Sequence, residues 1–252
     1  MPFYEREDKI LSMLAQKNEY SVTELAEKLY ISVPTMRRDL IKLEKKGKVI
    51  RTHGGVTVIK KSADAKIPFF LREQEQDSAK EVIAKKAAEC ISDGDTIMLD
   101  GTTSAYHIIP YLTKFKNLIV ITSGAKASIA LGQTGISNIS TGGRMLEMGF
   151  SYVGDDACRC VENYNADILF FSCRGISMDG WLSDNSIQEN TVRRAMMHRA
   201  KKKILLCDSS KIGKVYLNNL CHISEIDGII CENELPDSIK DLLDQEKING
   251  QR

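Results

Sequence analysis

What this chain lacks narrows its class before any motif is considered. No apolar run is long enough to span a bilayer, and no signal-peptide pattern opens the sequence. Neither membrane insertion nor secretion is expected, and the reading is a cytoplasmic protein. Seven cysteines are present, but none forms a Cys-x-x-Cys pair; Cys158 and Cys160 are the only close two, and there are only four histidines. Dispersed free thiols are the expectation, with no metal and no cofactor, while a redox or metal sensor built on Cys158 and Cys160 stays open. There is no internal repeat, no low-complexity tract and no coiled-coil seam that would fix an oligomer size. Net charge is nearly absent too, at +1 over 252 residues.

The charge is divided unevenly, however. Residues 1–61 carry 13 Lys and Arg against 8 Asp and Glu, and the remainder carries 22 against 26. A basic head on a mildly acidic body is the balance expected of a nucleic-acid reader with a separate ligand domain. Within the head, Ser21 and Glu24 have capping-box spacing, so a helix is expected from Val22 to about Leu29. After a three-residue turn Ser32 caps a second helix, with Pro34 in its first turn, that should end at Lys46 before a left-handed Gly47. Two helices joined so tightly form a helix-turn-helix. Val33, Met36, Leu40 and Leu43 repeat at helical spacing and should pack inward, leaving Thr35, Arg38, Lys42 and Lys45 outward. Lys48–Thr52 and Val56–Lys60, joined through His53-Gly54-Gly55, read as a two-stranded wing. Nine basic residues against two acidic ones lie between Arg37 and Lys61. A guanidinium on a free helix face suits guanine edges in the major groove, and Lys suits phosphate. The expected DNA contacts are Ser32, Thr35, Arg37, Arg38, Lys42 and Lys45, with Arg51, His53 and Gly54 in the wing.

The expected organisation is a winged helix-turn-helix over 1–60, a polar linker over 61–69 and a larger α/β domain over 70–252. Ser78 and Glu81 suggest another capping box, opening a helix that stops before Gly94. Thr96–Leu99, Leu118–Thr122, Ile168–Ser172, Ile204–Cys207 and Gly228–Cys231 are short, almost wholly apolar runs, suited to strands of a mainly parallel sheet buried on both faces. Helical stretches near Ser104–Leu112, Ala125–Leu131, Tyr152–Tyr164 and Ile187–Ala200 separate them.

Ligands of such sheets bind at the carboxyl ends of the strands. There Asp100 is followed by Gly101, Thr102, Thr103 and Ser104, whose N–H and hydroxyl groups suit a phosphate. Asp100 itself suits a sugar hydroxyl, since its charge repels the anion. Thr122 and Ser123 repeat the small polar theme. Gly142, Gly143 and Arg144 add a loop with a forked donor, and Asp208 and Lys211 add a cation beside hydroxyls. Each loop alone reads as an ordinary turn; four together point to a polyhydroxy phosphate. Glu189 and Arg193, four apart, are either an exposed ion pair or ligand contacts. Asp179-Gly180-Trp181 reads as a turn, and Lys201-Lys202-Lys203 as a charged helix end.

Residues Tyr4–Val56 resemble the DNA-binding domain of the DeoR family of bacterial transcription regulators. The resemblance rests on Glu5-Arg6-x-x-Lys9-Ile10-Leu11, Ser21-Val22-x-Glu24-Leu25-Ala26, Thr35-Met36-Arg37-Arg38-Asp39-Leu40-x-x-Leu43-Glu44 and Arg51-Thr52-His53-Gly54-Gly55. Residues Phe70–Glu232 resemble that family's effector domain through Leu99-Asp100-Gly101-Thr102-Thr103, Thr141-Gly142-Gly143, Tyr152-Val153-Gly154, Ala166-Asp167, Arg193-Arg194-Ala195-Met196 and Asp208-Ser209-Ser210-Lys211. The resemblance implies a fold related to ribose-5-phosphate isomerase, a phosphorylated-sugar effector and double-stranded operator DNA as partner. Val56 replaces the usual Ala, Ser123 the usual Asn and Arg193 the usual Lys, and the last two bear on which sugar is held.

Three function classes follow. A ligand-controlled repressor of a carbohydrate operon, acting as a homo-oligomer (dimer or tetramer) and not as an enzyme, fits every feature. A sugar-phosphate isomerase would need one of Asp100, Asp167 or Asp208 as base, and no second motif singles one out. A cysteine-based sensor is the third.

Overall fold

The computed structural model describes residues 3–16, 19–45, 48–51, 55–58, 69–147 and 149–249. The chain divides into two compact units, Met1–Glu75 and Gln76–Arg252. Of the expected linker, residues 61–68 lie outside the described residues, and Phe69 opens a helix.

The first unit runs α1 (Phe3–Gln16), β1 (Glu19–Tyr20), α2 (Val22–Lys28), α3 (Val33–Lys45), β2 (Val49–Arg51), β3 (Val56–Val58) and α4 (Phe69–Gln74). The capping box forms: Glu24 N–H donates to Ser21 Oγ at 3.0 Å, and Ser21 N–H donates to Glu24 Oε2 at 2.7 Å. At the other end of α2, Ile31 N–H reaches Ala26 O and Tyr30 N–H reaches Glu27 O. That paired closure places Tyr30 in the left-handed region (φ 53°), a position glycine usually fills. Ser32 caps α3 through a 3.4 Å bond from Thr35 N–H. Met36, Leu40 and Leu43 are fully buried with Ile10, Leu14 and Leu25, and Val33 packs on that core from its edge. Arg6 clamps Asp39 with two bonds of 2.5 and 2.9 Å, fixing α3 to α1. The wing has one strand more than expected, because the two-residue β1 pairs with β3 on the side away from β2. The expected stop at Gly47 lies outside the described residues.

The second unit runs α5 (Asp77–Ala88), β4 (Thr96–Leu99), α6 (Thr103–Tyr106), α7 (Ile109–Leu112), β5 (Ile119–Thr122), α8 (Ala125–Thr134), β6 (Ser137–Ser140), β7 (Arg144–Met145), β8 (Tyr152–Val153), α9 (Asp155–Glu162), β9 (Ala166–Phe171), β10 (Gly175–Ile176), β11 (Trp181–Asp184), α10 (Ile187–Arg199), β12 (Ala200–Leu206), β13 (Asn218–His222), β14 (Gly228–Ile230) and α11 (Asp237–Asn249). Six strands form a parallel sheet in the order β14-β12-β9-β4-β5-β6. Alternation along the strands feeds two cores. Ile97, Leu99, Ile168 and Phe170 face one, while Met98, Leu169 and Phe171 face the other. Both faces are covered, which is why these segments read as unbroken apolar runs.

Several expectations change. The helix after residue 76 starts at Asp77, and Ser78 does not cap it; its preceding residue, Gln76, is left-handed and makes no side-chain cap bond. Glu81 instead takes the Tyr111 hydroxyl and lies near Lys85. Tyr152 and Val153 form a strand ahead of α9. Lys201–Lys203 lie inside β12, because the helix ends at Arg199 and the strand begins at once. β6, half polar and at the sheet edge, gave no apolar signal, nor did the antiparallel sheet β10-β11-β13.

Candidate functional site

In the first unit, Ser32, Arg37, Arg38 and Lys42 are exposed and Thr35 is half-buried, so α3 presents a basic outer surface. Arg37 and Arg38 make no hydrogen bond among the described residues, which leaves both guanidiniums available to bases or phosphates. Lys45 closes α3. Arg51 Nε donates to Glu44 Oε2 at 2.8 Å. That pair is solvent-exposed, so exchanging it for a phosphate costs little. His53 and Gly54 lie outside the described residues.

In the second unit, the carboxyl ends of β4, β5, β9 and β12 meet. Asp100 is buried and fully bonded: Oδ1 accepts from Thr102 N–H and Oγ1, and Oδ2 from Ser172 N–H and Arg193 Nε. Arg193 is only 3 % exposed. Its Nη1 donates to Asp184 Oδ2 at 2.9 Å and to Asn190 Oδ1 at 2.8 Å, while Nη2 has no hydrogen-bond partner among the described residues. Arg193 and Glu189 therefore do not form the exposed ion pair considered above. Burial alone would raise the Asp184 pKa, but Arg193 and Arg174 more than offset it and hold the carboxyl below its ordinary value.

Asp100, Gly101, Ser123, Ser151, Tyr152, Glu189, Val192 and Arg193 line one narrow cleft. Ser151 comes from the β7–β8 hairpin, lies against Gly101 and donates to Glu189 Oε1 at 2.7 Å. A Cβ on Gly101 would overlap Ser151 Oγ, so glycine is required for this close approach. Ser123 Oγ and Glu189 Oε2 make no hydrogen bond among the described residues. Beside the cleft, Lys211 Nζ donates to Ser172 Oγ at 2.8 Å, reaches Ser104 Oγ at 3.5 Å and pairs with Asp208 Oδ2 at 3.2 Å. Burial works to lower the Lys211 pKa, yet Asp208 raises it overall. Thr102 caps α6, Thr103 is buried within it, and Thr122 Oγ1 accepts from Gly124 N–H.

The strand ends thus bring together Asp100, Gly101, Thr102, Ser104, Ser123, Glu189, Arg193, Asp208 and Lys211. Gly142, Gly143 and the exposed Arg144 do not line the cleft. Gly143 (φ 96°) serves packing, since a Cβ there would stand 2.8 Å from Val153 O. Trp181 is also outside the cleft and stands edge-on to His222. Asp167 pairs with Lys201 at the amino end of β9, the opposite edge of the sheet. Sequence reasoning missed Ser151, Ser172, Arg174, Asp184 and Asn190. The residues just after the Ile168–Ser172 run carried the same strand-end signal as Asp100; nothing local marked Ser151.

A winged helix-turn-helix with an exposed basic helix face, and an α/β unit with a polar cleft at its strand ends, define a DNA-binding regulator with a sensor unit. Residues 6–62 match the DeoR-like helix-turn-helix domain, and residues 75–233 match the DeoR C terminal sensor domain. The chain belongs to the DeoR family of transcriptional regulators. It is 35 % identical over 243 residues to the uncharacterised HTH-type transcriptional regulator YulB of Bacillus subtilis, covering 96 % of this chain and 93 % of that protein. It is 30 % identical over 241 residues to a putative aga operon transcriptional repressor of Escherichia coli O157:H7, covering 94 % and 90 %. In fold it is similar to eIF2B delta from Chaetomium thermophilum, with a TM-score of 0.50 at 22 % identity, over 66 % of this chain and 60 % of that one.

Proposed function

We propose that this regulator represses a carbohydrate-utilisation operon and that a phosphorylated sugar, bound at the strand-end cleft, lowers its affinity for operator DNA. It acts as a cytoplasmic homo-oligomer, dimer or tetramer, each subunit laying α3 in a major groove. The carrying observation is Arg193, an almost wholly buried guanidinium with an unpartnered Nη2, lining a cleft with the unpartnered Ser123 hydroxyl. Both donors open onto the cleft and have no protein partner among the described residues, so a polar ligand there can take them without breaking an existing bond. Gly101 N–H and the Ser104 hydroxyl stand at the same strand end, while Thr102 spends its donors on holding Asp100. Lys211 acts at this site by holding the Ser104 and Ser172 hydroxyls in place.

A direct test compares Arg38→Ala with Arg193→Lys in paired titrations. Arg38→Ala should lose operator binding and keep the sugar phosphate; Arg193→Lys should keep the operator and change the ligand concentration needed for release. Equal loss of both activities in either variant contradicts the division of labour.

A second reading, aldose–ketose isomerisation, rests on Glu189, the carboxylate lining the cleft with an oxygen that accepts no hydrogen bond. Asp100 is fully bonded, Asp208 is paired with Lys211 and Asp167 is on the far edge, so none of the three expected bases is poised. Proton exchange at the sugar carbon by the pure protein, abolished in Glu189→Gln, would establish this reading. The sensor reading predicts no such exchange.

A further inference from the structure

The three cations whose partners define the strand-end network are not equivalent. Lys211 has three N–H groups, and Asp208, Ser172 and Ser104 face them. Arg193 has given its Nε–H and both Nη1 hydrogens to Asp100, Asp184 and Asn190. Arg174 differs from both. Its Nε lies 3.7 Å from Asp184 Oδ1, too far for a hydrogen bond, and its side chain is 22 % exposed. None of its five N–H groups is hydrogen-bonded among the described residues. It is therefore a guanidinium held mostly out of water by charge attraction alone, with its whole donor fork unused.

Its root is fixed. Arg174 N–H donates to Ser183 O at 3.0 Å, Cys173 is buried in the core, and Gly175 packs against Lys214 so closely that a Cβ would not fit. Asp184 presents one oxygen to Arg193 Nη1 at 2.9 Å and the other toward Arg174. One buried carboxylate thus faces two guanidiniums, Arg193 in the cleft lining and Arg174 next to it beyond that lining, and both carry spare donors.

We infer that Arg174, assisted by the free Nη2 of Arg193, is the anion grip of the ligand site and takes a tetrahedral oxyanion, the phosphate of a phosphate monoester. This inference rests on the sugar-phosphate reading given above. An entering dianion needs donors that are desolvated yet uncommitted; recruiting Lys211 would cost three existing contacts, whereas recruiting Arg174 costs no hydrogen bond. A guanidinium also offers two parallel N–H groups to two phosphate oxygens, which an ammonium does not.

The test uses the full chain at constant ionic strength. Inorganic phosphate is titrated into wild type, Arg174→Gln and Arg174→Lys with thermal unfolding as readout. Operator anisotropy is then measured for the same three proteins against a panel of aldose and ketose monophosphates. Wild type should show a saturable phosphate shift. Arg174→Gln should need at least about tenfold more phosphate, the loss of one or two charge-assisted bonds, and Arg174→Lys should fall between. Arg174→Lys keeps the charge beside Asp184, so it separates lost recognition from a folding defect. An Arg174→Gln response equal to wild type, or no saturable response in wild type, overturns the grip. An Arg174-dependent phosphate shift with no sugar phosphate acting on DNA keeps the grip and removes the proposed effector. Release by a sugar phosphate at equal concentration from wild type and Arg174→Gln does the reverse.

Discussion

Single residues decide more here than their side-chain class suggests. Arg193 bonds two buried carboxylates, Asp100 and Asp184, which are 1 % and 5 % exposed. Arg193→Met keeps the stem but strands Asp100 and leaves Asp184 with only the more distant Arg174, and breaking such a pair costs about 3–5 kcal/mol. Urea unfolding should show a loss in that range; a change below about 1 kcal/mol would mean the carboxylates find other partners. Asp184, Asp208 and Glu232 each hold a pKa below the ordinary value. For Asp184 and Asp208 the nearby cations outweigh burial, and for Glu232 the Ser209 bonds do. A depressed carboxylate pKa stabilises above the unfolded value, near 4, and that contribution is lost as pH falls through the folded one. Stability should therefore be flat near neutrality and fall steeply below about pH 4, and Asp184→Asn should reduce that fall. Tyr30 is the opposite case, a left-handed residue that is 96 % exposed and gains no packing for its strain. Tyr30→Gly should raise stability by up to about 1 kcal/mol in the same unfolding assay, and a loss would show that the phenol is held by something beyond the turn. Legibility at this scale was mixed. Asp100 and Arg193 stood out as site residues, but their bond to each other joins positions 93 apart and left no local trace.

Elements were easier to read than contacts. The Ser21 capping box, the inward stripe of α3 and the apolar strands β4, β5 and β9 follow from periodicity and end chemistry, and the structure contains them. The failures have physical reasons. β6 and the β10-β11-β13 sheet are short or half polar, so no period marks them. Ser78 had capping spacing, but α5 already begins one residue earlier. In the proposed function α3 meets the operator through its exposed cations. Replacing Arg37, Arg38 and Lys42 together by Ala should weaken operator binding and flatten its salt dependence, by about one in log–log slope per lost phosphate contact. An unchanged slope would place the phosphate contacts elsewhere. Asp39→Asn should leave those cations present but loosen their carrier, because the two-pronged bond from Arg6 loses its charge. Its effect should appear first as a lower unfolding midpoint of the first unit.

At the scale of the molecule, a unit with the DNA-binding helix and a unit with the polar cleft share one chain, and regulation requires free energy to pass between them. Coupling of this kind usually amounts to about 1–3 kcal/mol, a fivefold to 150-fold change in affinity, and linkage makes it reciprocal. Whatever weakens operator binding must itself bind less tightly to the operator complex. Fluorescence anisotropy of the full chain on DNA from upstream of its own operon, titrated with phosphorylated sugars and their unphosphorylated counterparts, measures this directly. If the units are coupled as proposed, one phosphate ester lowers operator affinity at least fivefold and its unphosphorylated sugar does nothing. Tight, salt-sensitive binding that no phosphorylated sugar alters would contradict sugar-phosphate control while leaving the DNA reader intact.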